Sequence, residues 1–171
     1  MEKLSLYILN QEYAKYLSSF ENKISLICKE KKRRPFIGVV LNINDYKFYA
    51  PLSSPKPKHL KMKNRLDFYK INNGLYGVIN LNNMIPVHSE CLVKIRPITS
   101  HYFSKEENKY NSLLLKQLIW CNEHRETIYR NAKVLYNSFS ANTLQDNIRS
   151  RCCDFKLLEV KLDEYVKFKG W

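Results

Sequence analysis

Apolar and polar residues alternate from Leu4 to Leu9, the period of a half-buried strand, and Asn10 follows as a residue suited to capping a helix. Tyr13, Ala14, Leu17 and Phe20 then recur at helical spacing, which predicts one amphipathic helix ending near Glu21. Phe36 to Ile43 is a β-branched apolar run. Asn44-Asp45 supplies turn residues, and Tyr46 to Leu52 returns antiparallel with Tyr46, Phe48 and Ala50 on one face. A second hairpin is predicted where Leu66 to Ile71 and Leu75 to Leu81 flank Asn72-Asn73-Gly74, and Cys91 to Ile95 offers another strand before Pro97. The first hundred residues therefore read as a curled antiparallel sheet.

From Ser104 the period changes. Tyr110, Leu114, Leu118 and Cys121 lie on one helical stripe, and Ile128, Leu135 and Phe139 continue it, predicting two helices that break near Asn122. A last amphipathic segment carries Phe155, Leu158, Leu162 and Val166 and packs back onto the sheet. With no repeat, linker or composition boundary, the expectation is a single α+β domain over residues 1–171.

At 171 residues, with 44% apolar and 13% aromatic content, the chain can bury a core and is not expected to be disordered. Neither a signal-peptide pattern nor an apolar run long enough to span a bilayer is present, so the expected location is the cytoplasm. The five cysteines, Cys28, Cys91, Cys121, Cys152 and Cys153, include no CxxC pair, and the four histidines lack ligand spacing. Reduced thiols, no metal and no cofactor are expected.

Charge narrows the function. Of 29 Lys and Arg, 12 fall between Lys29 and Lys70 against three acids, Glu30, Asp45 and Asp67, leaving an excess of nine within a net +13. Such density suits a polyanion, because each neutralised phosphate releases counterions whatever the base sequence. Lys31, Lys32 and Arg33 form a basic run that also reads as a solvated loop. Arg34 differs, because Pro35 holds it extended at a strand mouth, where a guanidinium can make two hydrogen bonds to a phosphate.

The loop from Ser53 to Asn64 sets Lys56, Lys58, His59, Lys61 and Lys63 after two serines, with Arg65 just beyond and Pro55 and Pro57 stiffening it. Two hydroxyls amid such charge suit gripping a phosphodiester, although Ser-Ser-Pro is also ordinary turn chemistry. Tyr13, a lone aromatic at helical spacing, reads on its own as a core residue. These residues leave open whether the protein only holds RNA or also breaks it.

Three strings carry a resemblance: Pro35-Phe36-Ile37-Gly38-Val39-Val40-Leu41, Tyr49-Ala50-Pro51-Leu52-Ser53-Ser54-Pro55-Lys56, and Gly77-Val78-Ile79-Asn80-Leu81-Asn82-Asn83-Met84-Ile85-Pro86. With Lys116-Gln117-Leu118 and the run Cys153 to Glu159, they resemble the ToxN, AbiQ and CptN family of type III toxins across essentially the whole chain, the lysine-rich loop looking most like AbiQ. The resemblance implies an endoribonuclease with a compact, strongly curved, barrel-like antiparallel sheet of the MazF and Kid kind, flanked by helices. It also implies inhibition by a repeat RNA folded as a pseudoknot, which the toxin processes from a precursor. Abortive phage infection and a protein-RNA hetero-oligomer follow in the same way.

Carried over by position, the resemblance makes Ser53, Ser54, Lys56, Arg34 and Tyr13 the catalytic set, while the density of positive charge makes Lys31, Lys32, Arg33, Lys58, His59, Lys61, Lys63 and Arg65 the expected RNA-binding residues. Arg34 stands where members can carry lysine, keeping charge without the ability to deprotonate, and Leu115 stands where some carry tyrosine. The chain shows no metal-ligand spacing or paired carboxylates, so the expected nucleophile is the RNA's 2′-hydroxyl, giving 2′,3′-cyclic phosphate and 5′-hydroxyl ends. Tyr13, His59 and Lys56 all stand as candidates for proton transfer. A non-catalytic RNA-binding module and a serine-lysine hydrolase built on Ser54 and Lys56 are the alternatives.

Overall fold

The computed structural model describes residues 2–24 and 34–171. Among these, seven strands form one antiparallel sheet: β1 (Ser5–Leu9), β2 (Pro35–Ile43), β3 (Tyr46–Ser53), β4 (Tyr69–Lys70), β5 (Val78–Ile79), β6 (Ile85–Pro86) and β7 (Leu92–Ile95). Six helices accompany it: α1 (Gln11–Ser18), α2 (Pro57–Lys61), α3 (Lys105–Glu123), α4 (Arg125–Ser140), α5 (Asp146–Arg149) and α6 (Phe155–Lys169). The strand order is β4-β5-β3-β2-β1-β7. β5 and β6 lie along the same side of β3, β6 opposite Phe48 and Tyr49 and β5 opposite Leu52 and Ser53.

The predicted β2-β3 hairpin forms as expected. Ile43 pairs with Tyr46 across a two-residue turn whose Asn44 and Asp45 have φ of 48° and 67°, the left-handed geometry that matches strand twist. The second hairpin is much shorter than predicted. Asn72 and Asn73, both at positive φ, coil Ile71–Gly74 into a 3₁₀ turn, leaving two residues to each of β4 and β5.

The α+β class and antiparallel sheet stand, but barrel-like closure does not, because the sheet is open with β4 and β7 at its edges. The stubby β4-β5 edge offers too little backbone to reach β7. At that end a helix meets the chain instead, the Gln117 side chain of α3 donating to the Tyr76 carbonyl at 2.6 Å.

Asn10 caps α1, its side chain accepting from the Glu12 N–H at 2.7 Å. The helix stops at Ser18 rather than near Glu21, with the hydroxyls of Ser18 and Ser19 turned back onto the carbonyls of Lys15 and Tyr16. Phe20 is therefore 44% exposed instead of buried, and it packs edge-on to Tyr16 under Lys161. The predicted break near Asn122 comes at His124, and the Asn122 side chain accepts from the Leu4 N–H and donates to the Leu4 carbonyl, tying α3 to the start of β1.

The core lies between the sheet and the carboxy-terminal helices, where Phe48 of β3 meets the rings of Tyr136 and Phe155. Asp154 caps α6 by accepting from the Leu157 N–H at 3.0 Å, and its own N–H donates to the buried Glu21 carboxylate at 2.9 Å. Cys153 donates its N–H to the Asn82 carbonyl at 2.8 Å. The motif from Cys153 onward is thus a structural lock between α6 and the loop beneath the sheet. Cys91, Cys121, Cys152 and Cys153 are buried free thiols, and Cys28 lies outside the described residues. Among the described residues no helix is long and apolar enough to cross a membrane.

Candidate functional site

Pairing of Phe36 with Pro51 puts Arg34, one residue ahead of β2, beside the end of β3. Its Nε donates to the Leu52 carbonyl at 3.2 Å and its Nη2 to the Ser53 hydroxyl at 3.0 Å. β5 holds Ser53 from the other side through its pairing with Val78. Immediately beyond β5, Asn80 donates its backbone N–H to the Pro51 carbonyl at 3.0 Å, and its side-chain Nδ2 reaches the same carbonyl at 3.1 Å and Ser53 Oγ at 3.0 Å.

Gly77 completes the grip. Its φ is +97°, and a Cβ there would stand 1.9 Å from the Ser53 carbonyl oxygen, so only glycine allows the two segments to lie this close. Ser53 is consequently half-buried and held on two sides, while Ser54 and Lys56 follow it into solvent.

Where the sequence predicts an unbroken loop, Pro57 opens α2. Proline suits a first helical position, since its missing N–H has no partner to lose there. The buried ring of His59 accepts from the Lys56 N–H at Nδ1, 3.2 Å away, and burial followed by the charges of Lys58 and Lys56 lowers its pKa from 6.5. At the other end Lys70 Nζ donates to the carbonyls of Leu60 and Met62, which satisfies the end of the short helix.

The structure thus brings Arg34, Ser53, Ser54 and Lys56 to one corner. Lys58, Lys61, Lys63 and Arg65 are exposed on α2 and the segment after it, forming a basic rim. Lys31, Lys32 and Arg33 lie outside the described residues. His59 belongs to the scaffold beneath the rim rather than to its surface, being only 3% exposed.

Tyr13 does not join the corner. It is fully buried, and its hydroxyl donates to the Pro86 carbonyl at 2.8 Å. Pro86 pairs with Phe48, five residues before Ser53 and so about 17 Å along β3. Burial pushes the Tyr13 phenol well above its usual pKa, as befits a core hydroxyl that has found one acceptor.

Two features escaped sequence reasoning. Asn80 sits inside a recognised string, and the only signal for it was a polar residue straight after the apolar Val78-Ile79 pair. A groove of about 500 Å³ runs beside the corner, between Pro55 and the Lys109, Tyr110, Leu113 and Lys116 face of α3. The helical spacing of those residues was readable, but their nearness to Pro55 was not.

Chemically, the corner places one guanidinium against one hydroxyl at the end of a strand, with a second hydroxyl and an ammonium exposed within the next three residues and further cations around it. That is equipment for binding a phosphate and stabilising added negative charge on it. A family model described as toxin ToxN of the type III toxin-antitoxin system matches residues 5–163. The endoribonuclease AbiQ of Lactococcus lactis subsp. lactis is 32% identical over 175 residues, covering 96% of this chain and 90% of the relative. A solved structure of AbiQ, described as a lactococcal anti-phage endoribonuclease, superposes with a TM-score of 0.80 at 27% identity, covering 97% of this chain and 99% of the other. A second solved structure, from work on a type III toxin selectively inhibited by a non-coding RNA pseudoknot, gives a TM-score of 0.79 at 26% identity over 96% and 98%.

Proposed function

The chain belongs to the ToxN toxin family of type III toxin-antitoxin systems and is an endoribonuclease of that family, and we propose that it cuts RNA at the Arg34, Ser53, Ser54 and Lys56 corner without a metal ion. The observation that carries this reading is the Arg34 hydrogen bond to Ser53, which fixes a cation and a hydroxyl at the foot of an exposed serine and lysine.

In this scheme the ribose 2′-oxygen attacks the adjacent phosphorus and the P–O5′ bond breaks. The 2′-hydroxyl proton passes to solvent, leaving a 2′,3′-cyclic phosphate and a 5′-hydroxyl. Arg34 and Lys56 offset the charge that builds on the phosphoryl oxygens, and Ser54 with Ser53 orients the phosphate. Of the three candidates for proton transfer, Tyr13 and His59 are buried and hydrogen-bonded whereas Lys56 is exposed, which supports Lys56 as the acid that protonates the leaving 5′-oxygen.

The basic rim and the groove beside Pro55 give the rest of the strand its path, with Lys109 and Lys116 within reach of further phosphates. The whole chain acts as one toxin domain in the cytoplasm. Its inhibitor is a repeat RNA folded as a pseudoknot, which it processes from a precursor and which assembles with it into a protein-RNA hetero-oligomer; its targets after phage infection are cellular and viral transcripts. Incubating the purified protein with single-stranded RNA in excess chelator tests the chemistry. The expected products carry cyclic phosphates and 5′-hydroxyls, whereas a requirement for divalent ions, or 5′-phosphate ends, would overturn it.

A further inference from the structure

We propose that Asn80 is a positioning residue which, with Arg34, holds the Ser53 hydroxyl as a hydrogen-bond donor aimed at the scissile phosphate. The inference rests on the reading of this corner as the place where RNA is cut. A serine hydroxyl has one proton to give and two positions at which to accept. Both accepting positions of Ser53 are filled, by Arg34 Nη2 at 3.0 Å and by Asn80 Nδ2 at 3.0 Å.

The orientation of the Asn80 amide is dictated by its surroundings. Its Nδ2 also lies 3.1 Å from the Pro51 carbonyl, a group that can only accept, so the nitrogen and not the oxygen must face this side. The two Nδ2 hydrogens are thereby divided between Pro51 and Ser53. Asn80 is anchored independently, because its backbone N–H bonds to the same carbonyl at 3.0 Å.

What remains to Ser53 is its own proton, for which no acceptor is recorded among the described residues. Neither neighbour can remove it: the guanidinium keeps its charge, and the amide nitrogen has no basic lone pair. Ser53 is therefore not armed as a nucleophile or a base. Polarised by a cation and half-exposed at the strand end, its hydroxyl donates to a phosphoryl oxygen whose charge grows as the 2′-oxygen attacks. Asn80 acts through Ser53, by denying the hydroxyl any rotamer that would turn its proton inward.

The test is cleavage kinetics on one transcript with a mapped cut site, using wild type, Asn80→Ala, Ser53→Ala and the double variant. Asn80→Ala is expected to lower kcat roughly 10- to 100-fold while KM stays within about twofold. In the Ser53→Ala background it should cost little more, since the hydroxyl through which it acts is gone. Sulfur in place of the phosphoryl oxygen that Ser53 contacts should slow wild type more than Asn80→Ala.

Equal losses in both backgrounds, or a change confined to KM, overturn the inference. Should Asn80→Ala fail to fold, the near-isosteric Asn80→Asp carries the same cycle, and it should lose at least as much because it turns an acceptor toward Ser53. A wild-type protein that cuts no RNA removes the cleavage reading itself, whereas wild-type cleavage with an unimpaired Asn80→Ala removes only this inference.

Discussion

Lys56 and His59 bind each other reciprocally across the first turn of α2: the Lys56 N–H donates to His59 Nδ1 at 3.2 Å, and the His59 N–H donates to the Lys56 carbonyl at 2.8 Å. The orientation of the lysine nearest the serines thus depends on a histidine that must stay neutral at Nδ1. The corner is thereby tied to pH through its scaffold.

Because the pKa of His59 is lowered in the fold, the unfolded chain binds its proton more readily, and the ring's contribution to stability is complete above 6.5. That contribution is lost as pH falls from 6.5 through the folded value. Thermal unfolding followed from pH 7.5 down to about 5 should show wild type losing Tm more steeply than His59→Gln, which keeps an acceptor but does not titrate. Parallel curves would remove His59 from the account of acid sensitivity.

Ser54→Ala removes the hydroxyl proposed to orient the phosphate, but no charge. Cleavage, and toxicity on expression in cells, should fall by roughly 100-fold or more, while affinity for single-stranded RNA stays near wild type. Retention of wild-type cleavage would displace Ser54 from the site.

The exposed rim should be read out by salt. Replacing Lys58, Lys61 and Lys63 together by alanine should flatten the dependence of log affinity on log salt by about 2, at about 0.7 for each phosphate contact to a single strand. An unchanged slope would place the RNA on another face.

Tyr13→Phe separates a core role from a catalytic one. It leaves the Pro86 carbonyl without its partner inside the protein and should cost about 1–2 kcal/mol of stability. Cleavage per folded molecule should be unchanged at a temperature where the variant is fully folded. A large loss of kcat there would mean that the tyrosine reaches the RNA after a rearrangement.

Gly77→Ala probes the grip on Ser53 from behind. A residue with a Cβ at φ +97° costs about 1–3 kcal/mol from the backbone alone, and here the methyl also strikes the Ser53 carbonyl. Lower Tm and weaker cleavage are expected together, and crystals of the variant should show Ser53 displaced from Arg34.

The sequence by itself determined whatever depends on neighbours along the chain. Alternation specified β1, Asn44-Asp45 specified the β2-β3 turn, helical spacing specified α1, α3, α4 and α6 with Asn10 marking the start of the first, and charge density marked the Lys29 to Lys70 region, because backbone preferences and one-dimensional periodicity are local properties. The extended family strings went further and pointed to Ser53, Ser54 and Lys56 as the residues expected to act together. Tertiary structure alone decided which distant groups meet. Asn80 reaches Ser53 across 27 positions and Arg34 reaches it across 19, while Tyr13 spends its hydroxyl on a carbonyl 73 positions away. No periodicity encodes such partnerships, nor the open sheet edge left by the coiled turn at Ile71–Gly74. They arise when burial forces each polar group to find a partner among whatever packing has placed beside it.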